Sequence, residues 1–236
     1  MKSKMNQEDI KQFVKLELSG WNRSEKYGII FVLLIISYNA FILKDSPIAI
    51  IYAICGMLYT IIAGKGKISC YIFGLISSLL YSYLSLKNSL YGNLCLNLLY
   101  YIPMQILGIF QWKKHLKKTT NEIYKTKLNP KELIILFAAA LPISIVGIIL
   151  LFCLHDSHPI IDGLITVLSI TAMYLTVKRA IEQWIAWIIV NGLSVIMWLN
   201  IALQGEKVYS TIVVWIIYFL LGIYFYFQWK KELTVQ

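Results

Sequence analysis

Charge is missing from this 236-residue chain wherever it would be most expensive. Eight apolar stretches run between Tyr27 and Trp229, and none carries Asp, Glu, Lys or Arg in its interior. Only 14% of the residues are charged, where a soluble domain has about a quarter, while 58% are hydrophobic and the mean hydropathy is +0.67. An ordinary soluble domain is excluded. Without a carboxylate at depth a proton-coupled pump has no relay, and without a P-loop ATP has no cradle; Gly64-Lys65-Gly66-Lys67 matches one in composition only. No CxxC pair joins the four cysteines (Cys55, Cys70, Cys95, Cys153), which read as buried thiols and not as disulfides or metal ligands. No uninterrupted apolar run lies in the first 27 residues, so no cleavable signal peptide is expected. No nucleophile–base pair and no metal-ligand set appears, so neither an enzyme nor a cofactor is expected. His155, Asp156, His158 and Asp162 read as a polar loop around Pro159.

What is present is length and apolarity. The candidate spans are 27–43, 47–64, 68–86, 91–112, 131–154, 160–177, 183–203 and 208–229. A helix needs roughly 17–25 residues to cross a hydrocarbon core of ~30 Å. The stretches lack the alternation of barrel strands, so the expectation is an all-α polytopic membrane protein with eight transmembrane helices.

The net charge of +10 is distributed by topology. Lys44, Lys87 and Lys207 fall on one side of an eight-span arrangement, and the other nineteen of the 22 Lys and Arg fall on the opposite side. The positive-inside rule then places both termini in the cytoplasm and removes the reason to invoke nucleic acid. Residues 1–26 form a cytoplasmic segment. Within it Ile10, Phe13, Val14, Leu18 and Trp21 have helical spacing, which fits an amphipathic helix on the membrane as well as it fits a basic tail.

An internal duplication sets the rest. Gln111-Trp112-Lys113-Lys114 recurs as Gln228-Trp229-Lys230-Lys231 at an offset of 117, and Tyr101 and Ser77 match Tyr218 and Ser194 at the same offset. The organisation expected is an extra first transmembrane helix at 27–43, a three-helix repeat at 47–112, a basic cytoplasmic loop at 113–130, a linker helix at 131–154, a second three-helix repeat at 160–229 and a cytoplasmic tail at 230–236. Two parallel triple-helix halves joined by a linker span make the 3+1+3 arrangement of SWEET-type carriers, whose substrate site lies near the midplane between repeats.

Polar and aromatic residues gather on a few helical faces. Asn97, Tyr101, Gln105, Gly108 and Trp112 share a stripe, with Pro103 among them as a candidate kink. Trp184, Trp187, Asn191, Ser194 and Trp198 form another. Thr211, Trp215, Tyr218 and Gly222 form a third, Ser78, Tyr81, Ser82 and Ser85 a fourth, and Tyr52, Tyr59 and Thr60 join more loosely. Trp112, Trp184, Trp198 and Trp229 stand near span ends and read first as an interfacial aromatic belt, and Glu182 as a counter-charge to Lys178 or Arg179. The candidate substrate-binding residues are Trp187, Asn191, Gln105, Tyr101, Asn97, Trp184, Trp215, Tyr218 and Ser194. Indole and phenol faces stack on flat rings and attract cationic ones, while amides pair with carboxamides and hydroxyls.

The runs Asn97-x3-Tyr101-x3-Gln105-x2-Gly108-x3-Trp112 and Glu182-x-Trp184-x2-Trp187-x3-Asn191 make the chain resemble the bacterial PnuC-type nicotinamide riboside transporters. The similarity covers spans two to eight. It implies the SWEET-like fold with an extra first helix, a homotrimer and a bacterial inner or plasma membrane. It also implies facilitated diffusion of nicotinamide riboside, an NAD precursor. Trapping would come from a cytosolic kinase that is coupled functionally without stable binding. In the resemblance Trp187 and Asn191 match one substrate motif, and Gln105, Tyr101 and Asn97 match the fourth-span motif. Phe225 stands where the repeat partner has Gly108. Thiamine is the alternative cargo of the same fold, and a membrane sensor or interaction protein is the alternative of another class.

Overall fold

The computed structural model of the chain describes residues 7–42, 46–87, 91–153, 159–205 and 209–234. Its elements are α1 (Gln7–Glu17), α2 (Arg23–Ile42), α3 (Pro47–Lys65), α4 (Cys70–Lys87), α5 (Tyr91–Leu96), a π-helical turn (Asn97–Tyr101), α6 (Ile102–Lys113), α7 (Pro130–Cys153), α8 (Pro159–Val177), α9 (Glu182–Leu203) and α10 (Tyr209–Leu233). Seven described helices are long and apolar enough to cross a membrane, the first Pro47–Lys65 and the last Thr211–Leu233. The stretch expected as the first span falls in α2, which opens on Arg23, Glu25 and Lys26 and lies outside those seven. Of the polar loop read around Pro159, His155, Asp156 and His158 lie outside the described residues, and Asp162 sits in the first turn of α8.

Local chemistry fixes the helix ends. Ser46 caps α3 by accepting the Ala49 N–H, with Pro47 at the first helical position. Gly66 closes the same helix at φ 77°, donating to Ala63, while Lys67 donates back to Ile62. Asn129 and Glu132 form a reciprocal capping box at the start of α7, each side chain accepting the other's backbone N–H at 3.1 and 2.8 Å.

The long helices pack in two groups. α3 lies against α4, and α4 against α6; α8 lies against α9, and α9 against α10. The groups meet where α6 touches α8 and where α10 touches α3. α7 packs on α8, and none of its residues is buried. Its large apolar side chains therefore face outward, as a lipid-facing helix requires.

The segment between α6 and α7 is held by backbone hydrogen bonds to both helix groups. Ile123 is fully buried and donates its N–H to Gly66 at the α3–α4 corner. Three residues on, Thr126 donates to Arg179 and accepts from Ile181 at the α8–α9 corner. Arg179 reaches back to the Tyr124 carbonyl. One strap thus crosses both corners. Glu182 does not serve as a counter-charge to Lys178 or Arg179: both its carboxylate oxygens accept the Leu128 N–H, because the strap brings a backbone donor closer than either cation.

α1 is folded onto the same end. The buried Lys67 ammonium donates to Leu16 at 2.6 Å and Thr120 at 2.8 Å, and Glu17 accepts from Asn121 and from Ser69. Lys65 pairs with Glu25 at 2.8 Å. Lys125 pairs with Glu232 and lies 4.9 Å from the centre of the Trp229 ring; burial pushes its pKa down and Glu232 opposes that shift.

Two expectations need correction. Trp112, Trp184 and Trp229 are 0%, 2% and 0% exposed, so they are core residues and not an interfacial belt; Trp198 is half-buried. Helical spacing gave the face but not the depth. Of the thiols, Cys55 and Cys70 are buried, whereas Cys95 and Cys153 are exposed because they lie on outward faces.

Candidate functional site

Between the two helix groups lies a cavity of about 370 Å³, within the ~300–1,000 Å³ range of small-molecule sites. Its lining draws on α3, α4, the α5–α6 segment, α8, α9 and α10, and among the described residues contains no Asp, Glu, Lys, Arg or His. Eight of the nine candidate residues border it: Trp187, Asn191, Gln105, Tyr101, Asn97, Trp184, Trp215 and Tyr218. Ser194 does not. It is buried, and its hydroxyl donates to the Val190 carbonyl 2.9 Å away, the usual fate of a serine inside an apolar helix.

The π-helical turn explains how the fourth-span stripe reaches the cavity. Pro103 has no N–H to donate, and the Ile102 N–H bonds to Asn97 five residues back. Such a turn widens the helix locally and is frequent where side chains serve a site. Asn97, Tyr101 and Gln105 all border the cavity across it, while Gly108 and Trp112 do not. Gly108 instead lies against Tyr71, and Trp112 sets its edge against the same ring at 5.0 Å.

Gln105 is 5% exposed and oriented by its neighbour: its Nε2 donates to Ser78 Oγ at 2.7 Å. That leaves Oε1 buried with no partner among the described residues. A fully desolvated acceptor without a donor costs about 1–3 kcal/mol, so the position holds an unfilled demand. Gly74 makes room for the carboxamide, since a Cβ there would sit 2.6 Å from Oε1.

The aromatic walls are similarly held. Trp187 donates its indole N–H to Thr176 Oγ1 at 3.4 Å, and Thr176 in turn donates to Ala172 at 2.8 Å, which fixes the ring plane. Tyr52 and Tyr81 stack at 4.9 Å and 20°, and Trp215 and Tyr218 lie 6.0 Å apart. Tyr59 donates to the Met173 sulfur at 3.6 Å. Aromatic faces with amide edges, and no fixed charge, suit a flat ring bearing neutral polar groups and tolerate a delocalised positive charge.

The sequence reading left out Gln183 and the face of α8. Ile165, Ser169, Met173 and Thr176 border the cavity at steps of four, four and three. The same stripe criterion, applied to the sixth stretch, would have found them. Gln183 gave less signal, because a residue next to a helix start looks like an exposed cap.

The comparisons with known proteins agree with one another. Residues 46–231 match the family described as nicotinamide mononucleotide transporter. The chain is 35% identical over 217 residues to the nicotinamide riboside transporter PnuC of Neisseria mucosa, covering 90% of this chain and 82% of that one. It is 28% identical to its namesake from Haemophilus influenzae, with 91% and 92% covered. Among solved structures it superposes on a crystal structure of the vitamin B3 transporter PnuC with TM-score 0.78 at 35% identity, covering 93% of this chain and 96% of that one.

Proposed function

From the premise that this chain belongs to the PnuC family of nicotinamide mononucleotide transporters, we propose that it carries nicotinamide riboside across a bacterial membrane by facilitated diffusion. The observation that carries this reading is the charge-free cavity walled by Trp187, Tyr101, Trp215 and Tyr218 and edged by Asn97, Gln105 and Asn191. The solute is a flat pyridinium with a carboxamide and ribose hydroxyls. Trp187 stacks on the ring, while Asn191 and Gln105 hold polar edges. A permanent cation gains from aromatic faces without needing a buried carboxylate, so no titratable group is engaged and no proton need move.

In this proposal α2 is an eighth, extra span, and both termini are cytoplasmic. α3–α6 and α8–α10 are parallel repeats joined by α7 as a 3+1+3 arrangement. Reciprocal bonds between the groups support the repeat: Trp112 donates to Thr176, and Trp229 to Gly64. The outward apolar surface of α7 is available to lipid and to neighbours in a homotrimer. Inward flux is made one-way by phosphorylation of the product in the cytosol, without stable binding of the kinase.

Solute counterflow in proteoliposomes tests the core of it. Preloaded nicotinamide riboside should drive accumulation of labelled nicotinamide riboside, unaffected by an imposed pH gradient. Exchange of thiamine in preference would replace the cargo. No counterflow of any vitamin would overturn transport itself.

A further inference from the structure

Gln183 and Trp184 open α9 with two side-chain donors that have found no acceptor. They are 1% and 2% exposed, both border the cavity, and neither Gln183 Nε2 nor Trp184 Nε1 has a hydrogen-bond partner among the described residues. Four other indoles behave differently: Trp21, Trp112, Trp187 and Trp229 each donate to an oxygen. Buried donors are nearly always paired, because lost hydration is otherwise not repaid. Two exceptions on consecutive residues, in the wall of one cavity, need a common explanation.

The backbone that carries both donors is fixed, and so is the Trp184 ring. The strap locks the first turn of α9: Leu128 N–H donates to Glu182 and Ile181 N–H to Thr126. The Trp184 ring is 5.2 Å from Phe225 and edge-on to Trp229 at 5.7 Å. The Trp184 N–H is therefore preorganised and Gln183 is presented from a fixed turn, as a binding wall requires. Among the described residues no cation lines the cavity. A phosphate or carboxylate would therefore enter without a counter-charge, whereas a neutral oxygen would not.

We propose that Gln183, together with the Trp184 N–H, is a specificity-determining residue that donates to a neutral acceptor oxygen of the solute, a ribose hydroxyl or a carboxamide carbonyl. This rests on the nicotinamide riboside reading above. A site built around unfilled donors discriminates strongly against a solute that cannot fill them.

Calorimetric titration of the detergent-purified protein tests it, with nicotinamide riboside and the riboside of unsubstituted pyridine as probes and thermal melting of each ligand-free variant alongside. Gln183→Met should weaken nicotinamide riboside binding by about tenfold or more. Its ligand-free melting temperature should stay level or rise, because an unpaired buried donor has been replaced by an apolar chain. Replacing the Trp184 indole by benzothiophene keeps the bicyclic ring and loses only the N–H, and should weaken binding likewise; it carries the test if Gln183→Met does not fold. A loss that disappears with the pyridine riboside assigns the carbonyl as acceptor, and one that persists assigns a hydroxyl. Wild-type affinity in both variants, or a melting temperature that falls along with affinity, overturns the proposal. Failure of the unaltered protein to bind nicotinamide riboside overturns the proposed function instead.

Discussion

Trp229 donates its indole N–H to the backbone oxygen of Gly64 at 2.6 Å, tying the last helix of one group to the first helix of the other. Trp112 makes the counterpart bond to Thr176 at 2.9 Å. Each acceptor is the penultimate residue of its helix, α3 or α8, where carbonyls run out of partners along the helix; the Thr176 carbonyl also accepts the Arg179 N–H at 3.0 Å. The two indoles therefore bond helix-end carbonyls across the interface and hold the groups together at the end crossed by the strap. The recurring Gln-Trp-Lys-Lys is in this structure the mark of a tie within the bundle.

Close approach at that tie depends on Gly64. A Cβ there would stand 2.4 Å from the Phe225 ring. Gly64→Ala should destabilise the protein by about 1–3 kcal/mol through overpacking. Adding Phe225→Leu should recover part of the loss, as a double-mutant cycle on melting temperature would show. Additive losses in the double variant would mean the two positions do not touch.

Trp187 is expected to supply the stacking face. Trp187→Ala should weaken nicotinamide riboside binding roughly thirtyfold, the equivalent of ~2 kcal/mol of desolvated cation–π attraction. Trp187→Phe should retain part of the affinity. Titration in detergent, with elution volume as a check on folding, decides the matter.

Gly74 acts through Gln105. A Cβ there would lie 2.6 Å from Gln105 Oε1 and 2.8 Å from the Tyr59 ring. Gly74→Ala should therefore displace the carboxamide from Ser78 and lower affinity by about tenfold, the scale of one lost hydrogen bond. Unchanged affinity would show that Oε1 has no part in binding.

Ile123 anchors the strap. It is fully buried among Ile61, Ile68 and Trp229, among others, in the core at that end. Ile123→Ala should cost about 2–5 kcal/mol of stability. It should also expose residues 113–130 to protease well before the helices are cut, because local unfolding starts where packing is lost. Simultaneous cleavage of strap and helices would argue against a separately anchored segment.

The sequence by itself determined the helical, membrane-spanning character, because uncharged runs of that length have no other way to satisfy their backbone in lipid. It also picked out the stripes bearing Asn97, Tyr101 and Gln105, and Trp184, Trp187 and Asn191, since helical periodicity shows which residues share a face. Periodicity says nothing about what a face meets. Only the tertiary structure decided that Trp112 and Trp229 turn into the core, that Ser194 turns to its own backbone while Gln183 joins the cavity wall, and that the basic segment after α6 is strapped across both helix corners. The Trp229 tie and the strap depend on partners more than fifty residues away, Gly64 for Trp229 and Gly66 for Ile123, which no local pattern encodes.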